Sequence, residues 1–171
     1  MRFLPQVGLY NRSGGRKLES GVYWTTLPDD LKLGMEAVED GRIYQLVRIS
    51  GTCCVGMILG RYTGTAMAYV TVGSNTGGGK PVGFSLISPT ASGTYTFCQK
   101  YGKCTSIHAS STFEAHNALT ACAWCDMYAE GVSGVVNQAN SNIATTGRVF
   151  WVGLALADST TSQVVGFVNC M

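Results

Sequence analysis

The residue types that most often bind metals are Cys and His, and several lie in the second half of the chain. Cys122 and Cys125 form a Cys-x-x-Cys pair, and the two histidines, His108 and His116, precede it. A zinc site needs a tight turn that aims both thiolates at one ion. The flanking residues are instead typical of a strand, on which positions three apart point to opposite faces. A zinc site completed by Cys104 and the histidines is an alternative, but the spacing predicts no metal.

Nucleophilic catalysis would need a cysteine or serine, a histidine and an orienting acid. Cys122 or Cys125 with His116 is the candidate set, and residues 131–134 lack the spacing of a Gly-x-Ser-x-Gly elbow. Only four acids follow Gly51, which leaves little for paired-carboxylate chemistry. We therefore predict that the chain is not an enzyme and has no catalytic residues.

The glycine-rich loop 73–81 invites comparison with a phosphate-binding loop. Counting back from Lys80, Ser74 stands where that motif needs glycine, and Pro81 stands where it needs Ser or Thr. No helical pattern follows that could aim backbone N–H groups at a phosphate. The loop is interpreted as a flexible connection, and no cofactor is predicted.

The seven cysteines are an odd number. The first ten residues lack the apolar segment of a secretory signal, because Pro5 and Gln6 interrupt it. We therefore expect the chain to be made in a host cytoplasm, with most of its cysteines as buried thiols. Cys98 and Cys104 flank a predicted turn, so a disulfide between them is an open alternative.

Charge is distributed unevenly along the chain. Residues 1–50 hold seven cations and six anions, whereas residues 51–171 hold five cations and four anions. Only 13% of all residues are charged, about half the usual share in a soluble domain. Such a composition favours docking to other copies or to a larger surface. A net charge of +2 argues against nucleic acid, and the broken apolar runs argue against a membrane span of ~20 residues.

Residues 1–40 are predicted to form an extended N-terminal arm, because Gly and Pro interrupt every candidate element. Residues 1–20 are locally basic and carry several apolar side chains. One interpretation is a solvated terminus, and the other is an arm that docks on a partner. The candidate partner-binding residues of the arm are Arg2, Phe3, Leu4, Leu9, Tyr10, Arg12, Arg16, Lys17 and Trp24.

From residue 41 onward, short apolar or alternating segments recur about every 10–14 residues between Gly-rich turns. Residues 42–49 alternate, with Ile43, Val47 and Ile49 on one face and Tyr44 and Arg48 on the other. Residues 94–100 and 103–107 are interpreted as a hairpin. The spacing predicts an all-β domain over 41–171, a small antiparallel β-barrel or sandwich.

Three stretches carry a resemblance to a known family. Residues 40–52 (DGRIYQLVRISGT) look like its opening strand and turn, and residues 93–104 (GTYTFCQKYGKC) look like its recurrent hairpin. Residues 147–169 (GRVFWVGLALADSTTSQVVGFVN) look like its closing pair of strands. On these stretches, residues 41–171 resemble the capsid decoration (cement) proteins of tailed phages, which bind outside the assembled capsid lattice.

The resemblance implies a partly closed barrel or sandwich without enzymatic activity. Its implied partners are the major capsid protein and further copies of the chain, as a homotrimer or homodimer. The implied function is a structural virion protein on the capsid surface that stabilises contacts between capsid subunits. The alternatives are another virion component (a head fibre, minor capsid, tail or baseplate subunit) and a receptor-binding module.

Overall fold

The computed structural model describes residues 17–49, 53–61, 69–72, 81–88, 93–108, 118–123, 137–138, 148–157 and 163–171. Most of these residues form β-strands, and a short 3-10 turn spans Leu18–Ser20. The strands are β1 (Tyr23–Trp24), β2 (Glu36–Glu39), β3 (Arg42–Ile49), β4 (Ile58–Arg61), β5 (Tyr69–Val72), β6 (Pro81–Phe84), β7 (Thr94–His108), β8 (Ala118–Ala123), β9 (Asn137–Gln138), β10 (Arg148–Ala155) and β11 (Gln163–Asn169). The predicted all-β fold is confirmed.

The strands form a single sheet in the order β2-β3-β5-β4-β6-β7-β11-β10-β8-β9. Because β3 also pairs with β7, the pairings of β3, β5, β4, β6 and β7 run in a ring, in which the β6–β7 link is the single pair Phe84 and Gln99. The pairings are antiparallel except between β3 and β5, which are parallel. The architecture is therefore a partly closed barrel extended on one side by β11, β10, β8 and β9.

Strand β7 organises the whole sheet. It runs without interruption through Thr94–His108, so the predicted hairpin between residues 94–100 and 103–107 is wrong. Its first half pairs with β3 and its second half with β11. Gly102 lies where the turn was expected, at φ +99, and a Cβ there would come within 3.1 Å of the Arg42 Cα. The glycine allows the strand to pass close to the β2–β3 hairpin without a side-chain clash.

Three apolar clusters fill the two faces of the sheet. Inside the ring lie Val47, Ile49, Leu59 and Cys98, with neighbours from the loops. On the opposite face of β3 and β7 lie Tyr44, Leu46 and Phe97, which pack against residues 18–37. The third cluster lies between β7, β11 and β10 and comprises Ile58, Phe84, Cys104, Ile107, Ala155, Val164, Val168 and Cys170.

Both faces of β3 carry buried side chains, which differs from the predicted alternation. Tyr44 is 0% exposed, although the pattern placed it with Arg48 on the outer face. Residues 17–35 cause this burial, because Leu18 and Leu31 pack over Tyr44 and Leu46. The strand boundaries themselves agree with the prediction, since β3 spans Arg42–Ile49.

Residues 17–40, which the sequence analysis placed in an extended arm, contribute to the core. Leu18 is 1% exposed and Leu31 is 3% exposed. Strand β1 pairs with β7, and β2 pairs with β3 along its whole length. The Thr96 hydroxyl also donates a hydrogen bond of 2.7 Å to the Val22 carbonyl oxygen. The extended arm therefore stays a prediction for residues 1–16 alone, which lie outside the described residues. Across the described ranges, no helix is long and apolar enough to cross a membrane.

Candidate interaction surface

The cysteines that the structure describes with their side chains are free thiols. Cys98 and Cys104 lie six residues apart on the same strand, about 20 Å along the chain. That separation is too large for a disulfide, so the alternative pairing is wrong. Burial raises the pKa of the Cys98 thiol to about 12 and also raises the pKa of Cys53 and Cys104. These thiols are protonated at neutral pH and behave as small apolar side chains.

The candidate metal ligands are not brought together in the part of the chain that the structure describes. No group of three or more His, Cys, Asp or Glu side chains there could hold an ion. His108 ends β7, where its backbone N–H donates to the Gly56 carbonyl oxygen at 2.9 Å. Its Nδ1 is buried without a hydrogen-bond partner among these residues. His116 and Cys125 lie outside the described residues, and so does all of loop 73–81 except Pro81.

Two of the nine candidate arm residues are described, and they lie apart. Trp24 is partly buried and packs edge-on against Phe97, with ring centroids 6.2 Å apart at 71°. Lys17 is exposed and lies at the β2–β3 turn. Whether either residue contacts a partner stays a prediction. The others, Arg2, Phe3, Leu4, Leu9, Tyr10, Arg12 and Arg16, lie outside the described residues.

Three polar contacts fix residues 17–19 to the β2–β3 hairpin, and we call this group the N-terminal clamp. The Lys17 ammonium donates to Asp40 at 2.7 Å, and the Leu18 backbone N–H donates to the Glu39 carboxylate at 2.8 Å. The Arg42 guanidinium pairs with Glu19. The Lys17–Asp40 hydrogen bond raises the pKa of Lys17. Because Leu18 is also buried, both the clamp and the core hold residues 17–19 against the hairpin.

A buried ion pair links β2 to β7. The Lys100 ammonium lies 2.6 Å from Glu36 Oε1, and the two side chains are 14% and 9% exposed. The other carboxylate oxygen, Glu36 Oε2, is buried and has no hydrogen-bond partner among the described residues. Such an oxygen is costly to bury unsatisfied. A second cation or donor reaching this position would therefore be stabilised.

One face of the sheet carries apolar side chains that the described residues leave partly exposed. Register partners on antiparallel strands lie on the same face, and here they connect Val38 to Ile43, Ile43 to Tyr101, and Leu154 to Phe167. The Tyr101 and Phe167 rings meet edge-on, with centroids 4.9 Å apart. Leu156 follows Leu154 at the next position on the same face. We call these six residues the apolar stripe.

Exposure along the apolar stripe is highest at its ends. Val38 and Leu156 are each 41% exposed, and the four residues between them are half-buried. Lys103, the register partner of Phe167, is the exposed cation at its border. Glu36 lies two positions before Val38 and so faces the same side of β2. The stripe thus crosses five neighbouring strands. The acid Glu36 lies near its β2 end, and the base Lys103 lies near β11.

Sequence reasoning missed the apolar stripe as a surface, although one signal for it was present. In β11, the buried Val164 and Val168 alternate with Val165 and Phe167, which are half-buried on the other face. Apolar residues on both faces of a strand indicate that both faces are covered in the assembled protein. The exposed Met171 extends this second face beyond the strand.

Taken together, the fold and its surface define an all-β protein with a partly exposed apolar face. No protein-family model matches the chain, and no curated protein matches it in sequence. Among solved structures, the chain is similar to the N base of the head fibre protein gp8.5 of bacteriophage phi29. The TM-score is 0.50 at 13% identity, and the match covers 75% of this chain and 93% of that chain. At this identity the likeness shows the fold alone, and the resemblance to decoration proteins stays a prediction.

Proposed function

We propose that the chain is a structural protein of a phage virion, bound to the outside of the head. The observation that carries the proposal is the fold that the chain shares with the head fibre base of phage phi29, over 93% of that structure. The resemblance of residues 41–171 to decoration proteins supports the same location from independent features of the sequence.

The apolar stripe supports a role in assembly. Val38, Tyr101, Phe167 and Leu156 place apolar surface on one side of a sheet whose other side already packs on a core. Burying such surface stabilises an interface by about 25 cal/mol for each Å² removed from water. A subunit of a permanent particle can bury this face for its whole lifetime.

Within this proposal, the partners are the major capsid protein and further copies of the chain, as a homotrimer or homodimer. A decoration protein would bridge neighbouring capsid subunits and stabilise the contacts between them. The second candidate is the base of a head fibre, which the fold likeness to the phi29 base favours. The two differ in what the chain holds, because a decoration protein bridges capsid subunits whereas a fibre base anchors a fibre to the head.

The test is quantitative mass spectrometry of purified virions of the phage that encodes the chain, after surface biotinylation of intact and of disrupted particles. We expect the chain in the virion, with the exposed Lys32, which lies outside the stripe, labelled equally in both preparations. Labelling only after disruption would place the chain inside the particle, and its absence from virions would reject the proposal. Electron microscopy of the same virions separates the two candidates, because a fibre base predicts a projecting fibre at the site of the chain and a decoration protein does not.

A further inference from the structure

Three observations bear on what covers the apolar stripe. The first is its position beside the N-terminal clamp. Val38 and Ile43 belong to the same hairpin as Glu39, Asp40 and Arg42, which hold residues 17–19. Lys17, to which residues 1–16 are joined, is therefore held next to the β2 end of the stripe.

The second observation is the match in chemistry between the stripe and residues 1–16. The segment carries its apolar side chains first, at Phe3, Leu4, Leu9 and Tyr10, and two arginines, Arg12 and Arg16, after them. The stripe is apolar across β3, β7, β11 and β10, and its acid lies at the β2 end. If the apolar residues of the segment lay on the apolar part of the stripe, its arginines would lie near Glu36. The order of residues along the segment therefore matches the order of residues along the stripe.

The third observation is the unsatisfied Glu36 Oε2. Glu36 is 7% exposed, one of its oxygens binds Lys100, and the other has no partner among the described residues. A guanidinium can bind a carboxylate oxygen while leaving the neighbouring ion pair intact. The buried oxygen therefore points to a cationic ligand at this end of the stripe.

We propose that residues 1–16 of one copy dock along the apolar stripe of a second copy, with Arg12 or Arg16 reaching Glu36. This inference rests on the proposed function as a subunit of an assembly. Sixteen residues span up to ~50 Å when extended, whereas five strands spaced ~4.8 Å apart cover about 20 Å. The segment is long enough to cross to a neighbour, and exchange of segments between copies adds contacts between subunits that binding within one copy would not add.

The test places a photo-reactive benzoylphenylalanine at Leu9 in the untagged full chain, which is co-expressed with a tagged full chain that lacks the photo-probe. After irradiation, a cross-link to the tagged copy can only join two molecules. We expect this cross-link, mapped by mass spectrometry to β2, β3, β7, β10 or β11 of the tagged copy. Cross-links within one chain only, cross-links to another surface, or none would each overturn the proposal.

A matched pair of variants in the tagged copy sharpens the result. Val38→Lys adds a cation to the stripe, and Val55→Lys adds the same cation at a residue of similar exposure, 37% against 41%. We expect Val38→Lys to reduce the cross-link at least tenfold and Val55→Lys to leave it unchanged. An equal effect of both variants would contradict docking on the stripe. Because free protein is used, this result is independent of whether the chain is found on heads.

Discussion

The β2–β3 and β10–β11 hairpins flank the long strand β7, and they are stabilised in different ways. On the β2–β3 side, residues 17–35 cover one face, and ion pairs close the edges around Glu36, Asp40 and Arg42. On the β10–β11 side, the buried face packs on a core while Leu154, Leu156 and Phe167 stay partly exposed on the other.

The difference follows the uneven charge of the sequence. Residues 17–49 satisfy much of their charge within the domain, as the clamp and the Lys100–Glu36 pair show. The charge-poor β10–β11 side instead keeps apolar side chains partly exposed. Under the proposed function, contacts with other subunits would cover these side chains.

Removing the aromatic centre of the β2–β3 side is expected to have the largest effect. Phe97 is 1% exposed and packs against Trp24, so Phe97→Ala should lower the free energy of unfolding by about 4 kcal/mol. Urea denaturation followed by circular dichroism measures the change. Tyr23→Ala, at a side chain that is 61% exposed, is the control and should stay within about 0.5 kcal/mol. A loss below about 1 kcal/mol for Phe97→Ala would show that residues 17–35 are not part of the core.

Breaking the buried ion pair should be the next largest effect. Lys100→Met leaves the Glu36 carboxylate buried without its cation, and we expect a loss of about 3 kcal/mol in the free energy of unfolding. The double variant Lys100→Met with Glu36→Leu removes the isolated charge as well. It should recover most of the loss in the same denaturation experiment. Equal stability of the single and double variants would mean that Glu36 is not buried as an ion.

The stability at alkaline pH tests whether the Cys98 thiol on β7 is buried. The folded chain keeps the Cys98 proton up to a pKa of about 12, whereas the unfolded chain releases it near 9.0. Stability from this group is complete below pH 9 and is lost as pH rises toward 12, by about 1.4 kcal/mol per pH unit. Denaturation at pH 9 and pH 10 measures the slope. The Cys98→Ala variant should show a shallower slope, and equal slopes would indicate an accessible thiol.

The exposed pair of the N-terminal clamp should give the smallest effect on stability, because the Lys17 and Asp40 side chains are 60% and 56% exposed. Asp40→Asn, which removes the carboxylate of this pair, should lower the free energy of unfolding by less than about 1 kcal/mol. The loss should shrink in 1 M salt, which screens exposed pairs. Asp29→Asn, at another exposed acid, serves as the control. A loss above about 2 kcal/mol that resists salt would show that the clamp is a structural core element.

The local alternation of residue types was enough to predict strands, but it could not predict which distant residues pack over each face of a strand. The alternation of residues 42–49 predicted β3 to the residue, because strand period depends on neighbouring positions alone. It could not predict that Tyr44 is buried, because Leu18 and Leu31 cover that face from a distant part of the sequence. The predicted hairpin failed for a similar reason. Tyr101-Gly102 is typical of a turn, but Gly102 is needed for the close approach to Arg42, a contact between distant segments.

The candidate surface was also only partly predictable. The low charge of residues 51–171 indicated an interaction surface, and the basic segment before residue 17 indicated a docking arm. The apolar stripe emerges only when register joins Val38, Ile43, Tyr101 and Phe167 across four strands. Trp24 was among the predicted partner-binding residues, and nothing local in the sequence showed that Phe97 would pack against it.

The most direct test of the virion assignment is binding of the purified chain to intact heads that lack it, measured by co-sedimentation over a range of concentrations. The proposed function predicts saturable binding to the outside of the head, so external protease should remove the bound chain while the heads remain intact. Failure of the chain to sediment with heads at any concentration, while it remains folded by circular dichroism, would contradict a head-surface protein.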